Sequence, residues 1–318
     1  MIKKNRKIPL KILKLKALLR RLAPNHPKRQ YIEEELAKSI AGYNGEKAID
    51  FHLSFLPHDY LILHDLRILD SEQRYFQIDT LIISPAFCII LEVKNISGSL
   101  IFDQTFHQLI RQSSDREEGF PDPLLQVKRQ QTQLEGWLKK NKLPQIPIFS
   151  FIVISNPSTI IKGGPKDTVI HSAALPYKIK RIAEMNLQEV ATLKELKKVT
   201  SFLIKQHTIS NYNILEKLGI HKEDILTGVH CPLCFEIPMI KKGNNWICFH
   251  CQYHSRNAYI PSLQDYALLI GSTITNEELR SFLHISSRSI ASKLLASIPL
   301  QHSGQTKGRK YKLDFPET

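Results

Sequence analysis

A chain of 318 residues, 42% of them hydrophobic, can bury a sizeable core and suits two to three domains. The formal net charge is +14, and no apolar run approaches the ~20 residues that cross a bilayer. A bilayer-spanning helix is therefore excluded, and the charge suits a polyanion, either nucleic acid or an anionic membrane surface.

The charge is concentrated at one end. Residues 1–30 hold eleven Lys or Arg and no acid, so the rest of the chain stands near +3. Ile8, Ile12, Leu15, Leu19 and Leu22 fall on one helical stripe, flanked by Lys11, Lys14, Lys16, Arg20 and Arg21. Pro24 and Pro27 end that pattern. The stripe suits packing on the following domain with a solvated basic face, contact along nucleic acid, or rest on an anionic membrane through residues 8–22. The first of these is the simplest. The opening residues contain no uninterrupted apolar run, which argues against a secretory signal.

Tyr31 to Leu56 reads as a helix broken at Gly42, with Glu46 in the first turn of its second half, where the helix dipole favours a carboxylate. Leu61–Leu69, Phe76–Ser84 and Phe87–Lys94 read as strands, the last two joined at Ser84-Pro85. Alternation puts Gln77 and Asp79 on one face and sets Glu92 and Lys94 together on one face of the next strand. An Asp followed by Glu-x-Lys on neighbouring strands is the layout of a divalent-metal phosphodiesterase site. Carboxylate oxygens hold hard cations, and the Lys offsets charge on a phosphate. The plainer alternative is a surface ion pair worth about 0–1 kcal/mol.

Gly98–Asp103 continues into a short strand, and Gln112–Asp122 reads as a mobile loop. Pro123 opens a helix to about Lys140, with Gln126, Gln130 and Gln133 on a polar stripe that suits a wet face. Pro147–Ser155 is a buried strand.

Four pieces occur in order: Gly42-Tyr43-Asn44-Gly45-Glu46, Gln77-Ile78-Asp79, Glu92-Val93-Lys94-Asn95 leading to Ser97-Gly98, and Asp122-Pro123-Leu124-Leu125-Gln126. Over roughly Tyr31 to Phe202 this set closely resembles the NERD (nuclease-related) domain of the PD-(D/E)xK restriction-endonuclease-like group. The resemblance implies an α/β restriction-endonuclease-like core, a mixed sheet flanked by helices, and a nuclease dependent on Mg²⁺ or Mn²⁺. Asp79 and Glu92, with the Val93 carbonyl, would bind the cation, and Glu46 would complete the site. Lys94 would orient water or neutralise the phosphate, and Gln126 would hold a phosphate or the water.

Residues 183–228 look helical and polar, with Gly219 and Gly228 as stops. Cys231-Pro232-Leu233-Cys234 and Cys248-Phe249-His250-Cys251 then form two Cys-x-x-Cys pairs, a zinc-ribbon pattern holding a structural Zn²⁺. That use of cysteine suits a reducing compartment, the cytoplasm. Cys88 reads as a small buried residue.

After Ser262 three helices and a basic hairpin are similar to a winged helix. Thr275 and either Ser286 or Ser287 act as caps in that reading. Arg288, Ser289 and Ser292 would open a recognition helix, and Lys307, Arg309 and Lys310 would touch phosphates. The expected domains are residues 1–30, 31–205, 206–228, 229–256 and 257–318. The expected function is a nuclease acting on DNA before RNA, and the alternative is a catalytically silent nucleic-acid-binding regulator.

Overall fold

The computed structural model describes residues 1–318 apart from 114–115, 186–187, 306–307 and 316–318. In chain order its elements are β1 (Ile2–Lys4), α1 (Leu10–Arg21), α2 (Arg29–Leu53), β2 (Leu61–Leu69), β3 (Tyr75–Ile83) and β4 (Cys88–Lys94). Then come β5 (Ser99–Asp103), β6 (Gln108–Gln112), β7 (Glu117–Pro121), α3 (Pro123–Lys140), β8 (Ile148–Ile154), β9 (Ile160–Gly163) and β10 (Val169–His171). The helices α4 (Leu175–Ala183), α5 (Leu193–Gln206) and α6 (Ile214–Leu218) lead to β11 (Ile240–Lys242), β12 (Asn245–Ile247) and β13 (His254–Ser255). The last elements are α7 (Tyr259–Leu269), β14 (Thr273–Thr275), α8 (Asn276–Leu283), α9 (Arg288–Ala296), β15 (His302–Ser303) and β16 (Lys310–Lys312).

Two units divide the chain. The first comprises Met1–Ile8 and Ile40–Ser210; the second comprises Pro9–Ser39 and the chain from Asn211 onward.

The first unit is built on a mixed sheet of order β1-β2-β3-β4-β8-β10. β2, β3 and β4 are antiparallel neighbours, whereas β4, β8 and β10 run parallel. β4 is buried almost throughout, as a near-continuous apolar run at a sheet centre demands. Leu134, Trp137 and Leu138 of α3 pack with Leu196, Val199 and Leu203 of α5 on one face, among Leu81, Ile83 and Ile90. On the other face Ile49 and Leu53 of α2 and Ile179 and Ile182 of α4 meet Ile82, Ile89 and Leu91. The result is the mixed α/β core expected from sequence, with helices on both faces.

Two expectations fail here. α2 runs unbroken through Gly42, where a side chain would meet open space, so the glycine costs only helix propensity. Of the stretch Gln112–Asp122 read as a mobile loop, in which residues 114–115 lie outside the described residues, Glu117–Pro121 forms β7, paired with β6 in a second sheet of order β7-β6-β5-β9. Cross-strand pairing, for example Arg111 with Glu118 at 3.1 Å, absorbs the charge that suggested a loop.

In the second unit Leu15, Leu18 and Leu22 of α1 pack with Ile32, Ile214, Leu215, Ile220 and Ile225. Leu15 and Leu22 of the stripe are thus buried within this unit, Leu19 is partly buried against it, and Ile8 is exposed. The expected solvated basic face also fails in part, because Lys14 and Arg21 are buried. Arg21 donates to Asp265 Oδ2 at 3.0 Å and to the carbonyls of Leu226 and Gly228, and Arg20 also reaches Asp265 at 2.5 Å. A buried guanidinium needs such acceptors. The sheets β11-β12-β13 and β14-β16-β15 complete the unit.

Candidate functional site

The β3–β4 ladder ends at Thr80 opposite Leu91, although β3 stays paired with β2 down to Tyr75 and β4 with β8 up to Lys94. The central strands therefore part at Asp79 and Glu92. Continuing the register sets these residues across from each other, so their side chains share the face covered by α3. Asp79 Oδ2 takes over the lost ladder bond by accepting from Val93 N at 2.9 Å. They are not back to back.

Glu92 is only 4% exposed, far drier than a surface ion pair would be. A buried carboxylate must find donors. Its Oε1 accepts from Lys94 Nζ at 2.8 Å and its Oε2 from Gln130 Nε2 at 2.9 Å. Lys94 Nζ also reaches Gln126 Oε1 at 3.3 Å, so strand ammonium and helix amide share one notch. Asp122 caps α3 by accepting from Leu124 N at 2.8 Å, and Pro123 follows at the first turn, which aims Gln126 at Lys94.

Glu46 enters from α2, the helix on the other face. Arg6 Nη1 donates to its Oε2 at 2.7 Å, and Arg6 Nη2 contacts Asp50 at 3.3 Å, His64 Nδ1 at 3.0 Å and Thr80 Oγ1 at 3.2 Å. Asp65 Oδ1 lies 3.5 Å from Arg6 Nη1. Burial, then the Arg6 and Lys4 charges, push His64 down to about 3, which leaves a neutral ring with Nδ1 as acceptor. Burial and neighbouring Asp65 push Glu46 up to about 7 despite Arg6, with Glu92 adding to the rise. Burial first, then Glu92 and Glu46, hold Asp79 well above the usual carboxylate range. Three carboxylates thus sense one another's charge in a buried setting.

The glycine ahead of Glu46 has a local reason. A Cβ on Gly45 would lie 2.3 Å from Asn95 Cβ and 2.7 Å from Ser155 Oγ, so only glycine lets α2 approach the end of β4. Asn95 Nδ2 donates to Ala41 O at 2.7 Å across the same junction.

Two residues of this constellation escaped the sequence reading. Arg6 entered only as one of the eleven basic residues of residues 1–30. Gln130 was placed on a wet polar stripe, yet it is buried, and Gln133 turns inward to Asp70 Oδ2 at 2.9 Å. The available signal was spacing: Gln130 falls on the helical face of Val127, Leu134 and Trp137.

In the second unit the sulfurs of Cys231, Cys234, Cys248 and Cys251 all lie within 4.8 Å of one another, close enough to hold one metal ion. The Cys231–Cys251 and Cys234–Cys248 sulfurs are each 3.6 Å apart, far beyond a disulfide. Each second cysteine is followed by a left-handed residue, Phe235 at φ 63° and Gln252 at φ 57°. Those turns fold each pair back on itself, with Phe235 N donating to Cys231 O and Gln252 N to Cys248 O at 2.9 Å. Trp246 is buried beside the cysteines, whereas Phe249 is exposed.

Arg288, Ser289 and Ser292 are exposed on α9, which Ser287 caps, and Ser292 Oγ accepts from Asn276 Nδ2 at 3.0 Å. Lys310 is exposed on β16, Arg309 is half-buried, and Lys307 lies outside the described residues. Among the described residues no helix is long and apolar enough to cross a membrane.

No curated protein matches the chain at a significant level. The family described as nuclease-related domain matches residues 41–155. That span runs from the Gly42-to-Glu46 segment to Ser155 and contains Glu46, Asp79, Glu92, Lys94, Gln126 and Gln130. Arg6 and the cysteines fall outside it. The likeness to the nuclease-related domain (NERD) family thus covers residues 41–155.

Proposed function

We propose that the protein is a Mg²⁺- or Mn²⁺-dependent nuclease that hydrolyses phosphodiester bonds, in DNA before RNA. The observation that carries this reading is the notch where β3 and β4 part. It sets buried Glu92 across from Asp79 and holds Lys94 between Glu92 and Gln126. Asp79 and Glu92, with the Val93 carbonyl, would hold the cation, and Glu46 borders them. Once bound, the cation supplies an acidified water and charge for the phosphate. Lys94 keeps an ammonium beside the carboxylates, placed to neutralise a non-bridging phosphate oxygen. Gln126 orients that ammonium through its carbonyl and keeps its amide hydrogens for a phosphate or water.

Zn²⁺ suits the four thiolates, and with all positions of its tetrahedral shell filled it would be structural. The order α7-β14-α8-α9-β15-β16, with β16 central, supports a winged-helix reading. On that reading α9 presents Arg288, Ser289 and Ser292 to nucleic acid, and Arg309 and Lys310 touch phosphates beside it.

Incubation with single- and double-stranded DNA and RNA tests the reading. The parent should give Mg²⁺-dependent products, and Asp79→Asn and Lys94→Ala should lower the rate by about two orders of magnitude or more. Equal nucleic-acid binding by all three proteins without products would overturn the nuclease and leave a regulator.

A further inference from the structure

The carboxylate site contains one positive charge that the nuclease-related segment does not supply. Arg6 precedes residues 41–155, yet its side chain is 4% exposed and its guanidinium faces Glu46, Asp50, Asp65, His64 and Thr80. It joins α2, β2 and β3 at the end of the sheet where the central strands part.

We propose that Arg6 is a fixed cation of the nuclease site, taking the place a second divalent ion would have beside Glu46, so that the site binds a single ion at Asp79 and Glu92. This rests on the nuclease reading above.

Charge matching points there first. Arg6 lies against three carboxylates, Glu46, Asp50 and Asp65, whereas Lys94 faces Glu92 and its neighbour Asp79, which accepts from Val93 N. One divalent ion at Asp79 and Glu92 adds positive charge at the end of the site that the guanidinium does not reach. A second ion beside Glu46 would lie a few ångströms from the guanidinium, and like charges repel strongly in a poorly hydrated site.

The guanidinium is also held in place. Its Nη2 is fixed by the Thr80 hydroxyl and the neutral His64 ring, neither of which a metal ion would remove. Two residues earlier, Lys4 Nζ donates to the carbonyls of His64 at 2.7 Å and Asp65 at 3.0 Å. β1, which includes Lys4, is parallel to β2, so the backbone leading to Arg6 is tied to the sheet. Arg6 therefore acts as a positioning residue, fixing Glu46 at the border of the metal site without itself touching substrate.

The test counts Mn²⁺ on zinc-loaded full-length protein, by calorimetric titration together with the electron paramagnetic resonance signal of free Mn²⁺. One equivalent is expected in the parent, weakened by at least about tenfold in Asp79→Asn. Arg6→Gln should admit a second equivalent, while Arg6→Lys, which keeps the charge, should still bind one. Two equivalents in the parent, both weakened in Asp79→Asn, would overturn the role of Arg6 and leave the nuclease reading intact. An unchanged single equivalent in folded Arg6→Gln would do the same. No Mn²⁺ bound and no cleavage by the parent would overturn the nuclease reading itself. The parent count stands even if Arg6→Gln fails to fold.

Discussion

Gln130 shows what a carboxylate needs when it is placed inside a sheet. Its Nε2 faces two acceptors, Glu92 Oε2 and Gln77 O, both at 2.9 Å, so the orientation of the amide follows from its neighbours. Gln130→Leu keeps the bulk and removes the donor, which leaves one buried charged oxygen of Glu92 without its partner. The expected cost is about 1.5–3 kcal/mol in urea unfolding of the metal-free protein, as for hydrogen bonds to charged groups. A change within about 0.5 kcal/mol would mean that Glu92 finds another donor. At this scale the sequence brought forward candidates that the structure groups, since Asp79 reaches Val93 N across the β3–β4 turn and Lys94 lies between Glu92 and Gln126. It hid Arg6, which meets Glu46 across 40 positions and is no different in type from the other lysines and arginines of residues 1–30. Basic residues on a helical stripe gave no sign that Arg21 is buried against Asp265 while other cations of the same segment stay in water. Burial of a charge depends on a distant acceptor, and local patterning does not encode that.

Elements repeat the lesson with the two glycines of α2. Reading Gly42 as a helix breaker followed its intrinsic preference, but preference yields when both halves of a helix bury a face, here Ile32 and Ile49. Nothing lies within 4 Å of where a Cβ on Gly42 would sit, whereas one on Gly45 would overlap Asn95 and Ser155. Gly42→Ala should therefore stabilise the protein by about 0.5–1 kcal/mol. Gly45→Ala should destabilise it by about 1–3 kcal/mol, because α2 must move off the end of β4. Since Glu46 is the next residue, the Gly45 variant should also lose much of its Mn²⁺-induced rise in melting temperature. Equal behaviour of the two variants would contradict the close approach. The strands themselves were legible from their apolar runs and the turn at Ser84-Pro85, since β2, β3 and β4 are joined by short connections. β6 and β7 were not, because their outward charges hid a two-residue period that only pairing with β5 makes sense of.

For the whole molecule, the cysteine spacing disclosed the cluster of four sulfurs but not how deeply it is built into its unit. Cys231 and Cys248 belong to the same buried cluster as Trp246, Tyr259, Leu263, Leu279, Phe282 and Leu295, so the ribbon and the helices α7 to α9 share one core. The N-terminal helix joins that unit through Arg21, which binds the Leu226 and Gly228 carbonyls just ahead of the first cysteine. A ribbon with its own core would unfold alone when its metal is withdrawn, leaving the helices after it unchanged. A shared core predicts instead that chelating the metal destabilises the entire second unit, since structural zinc contributes about 10–16 kcal/mol to folding in isolated zinc-finger peptides. The buried clusters of the first unit are separate from this one. Calorimetry of chelator-treated protein, or of Cys248→Ser, should show the second unit's transition lowered or lost while a Mn²⁺-responsive transition persists. Nucleic-acid binding through α9 should weaken together with that transition. If chelation removes only the ribbon's amide-exchange protection and leaves α7 to α9 protected, the core is not shared and the ribbon is an independent module.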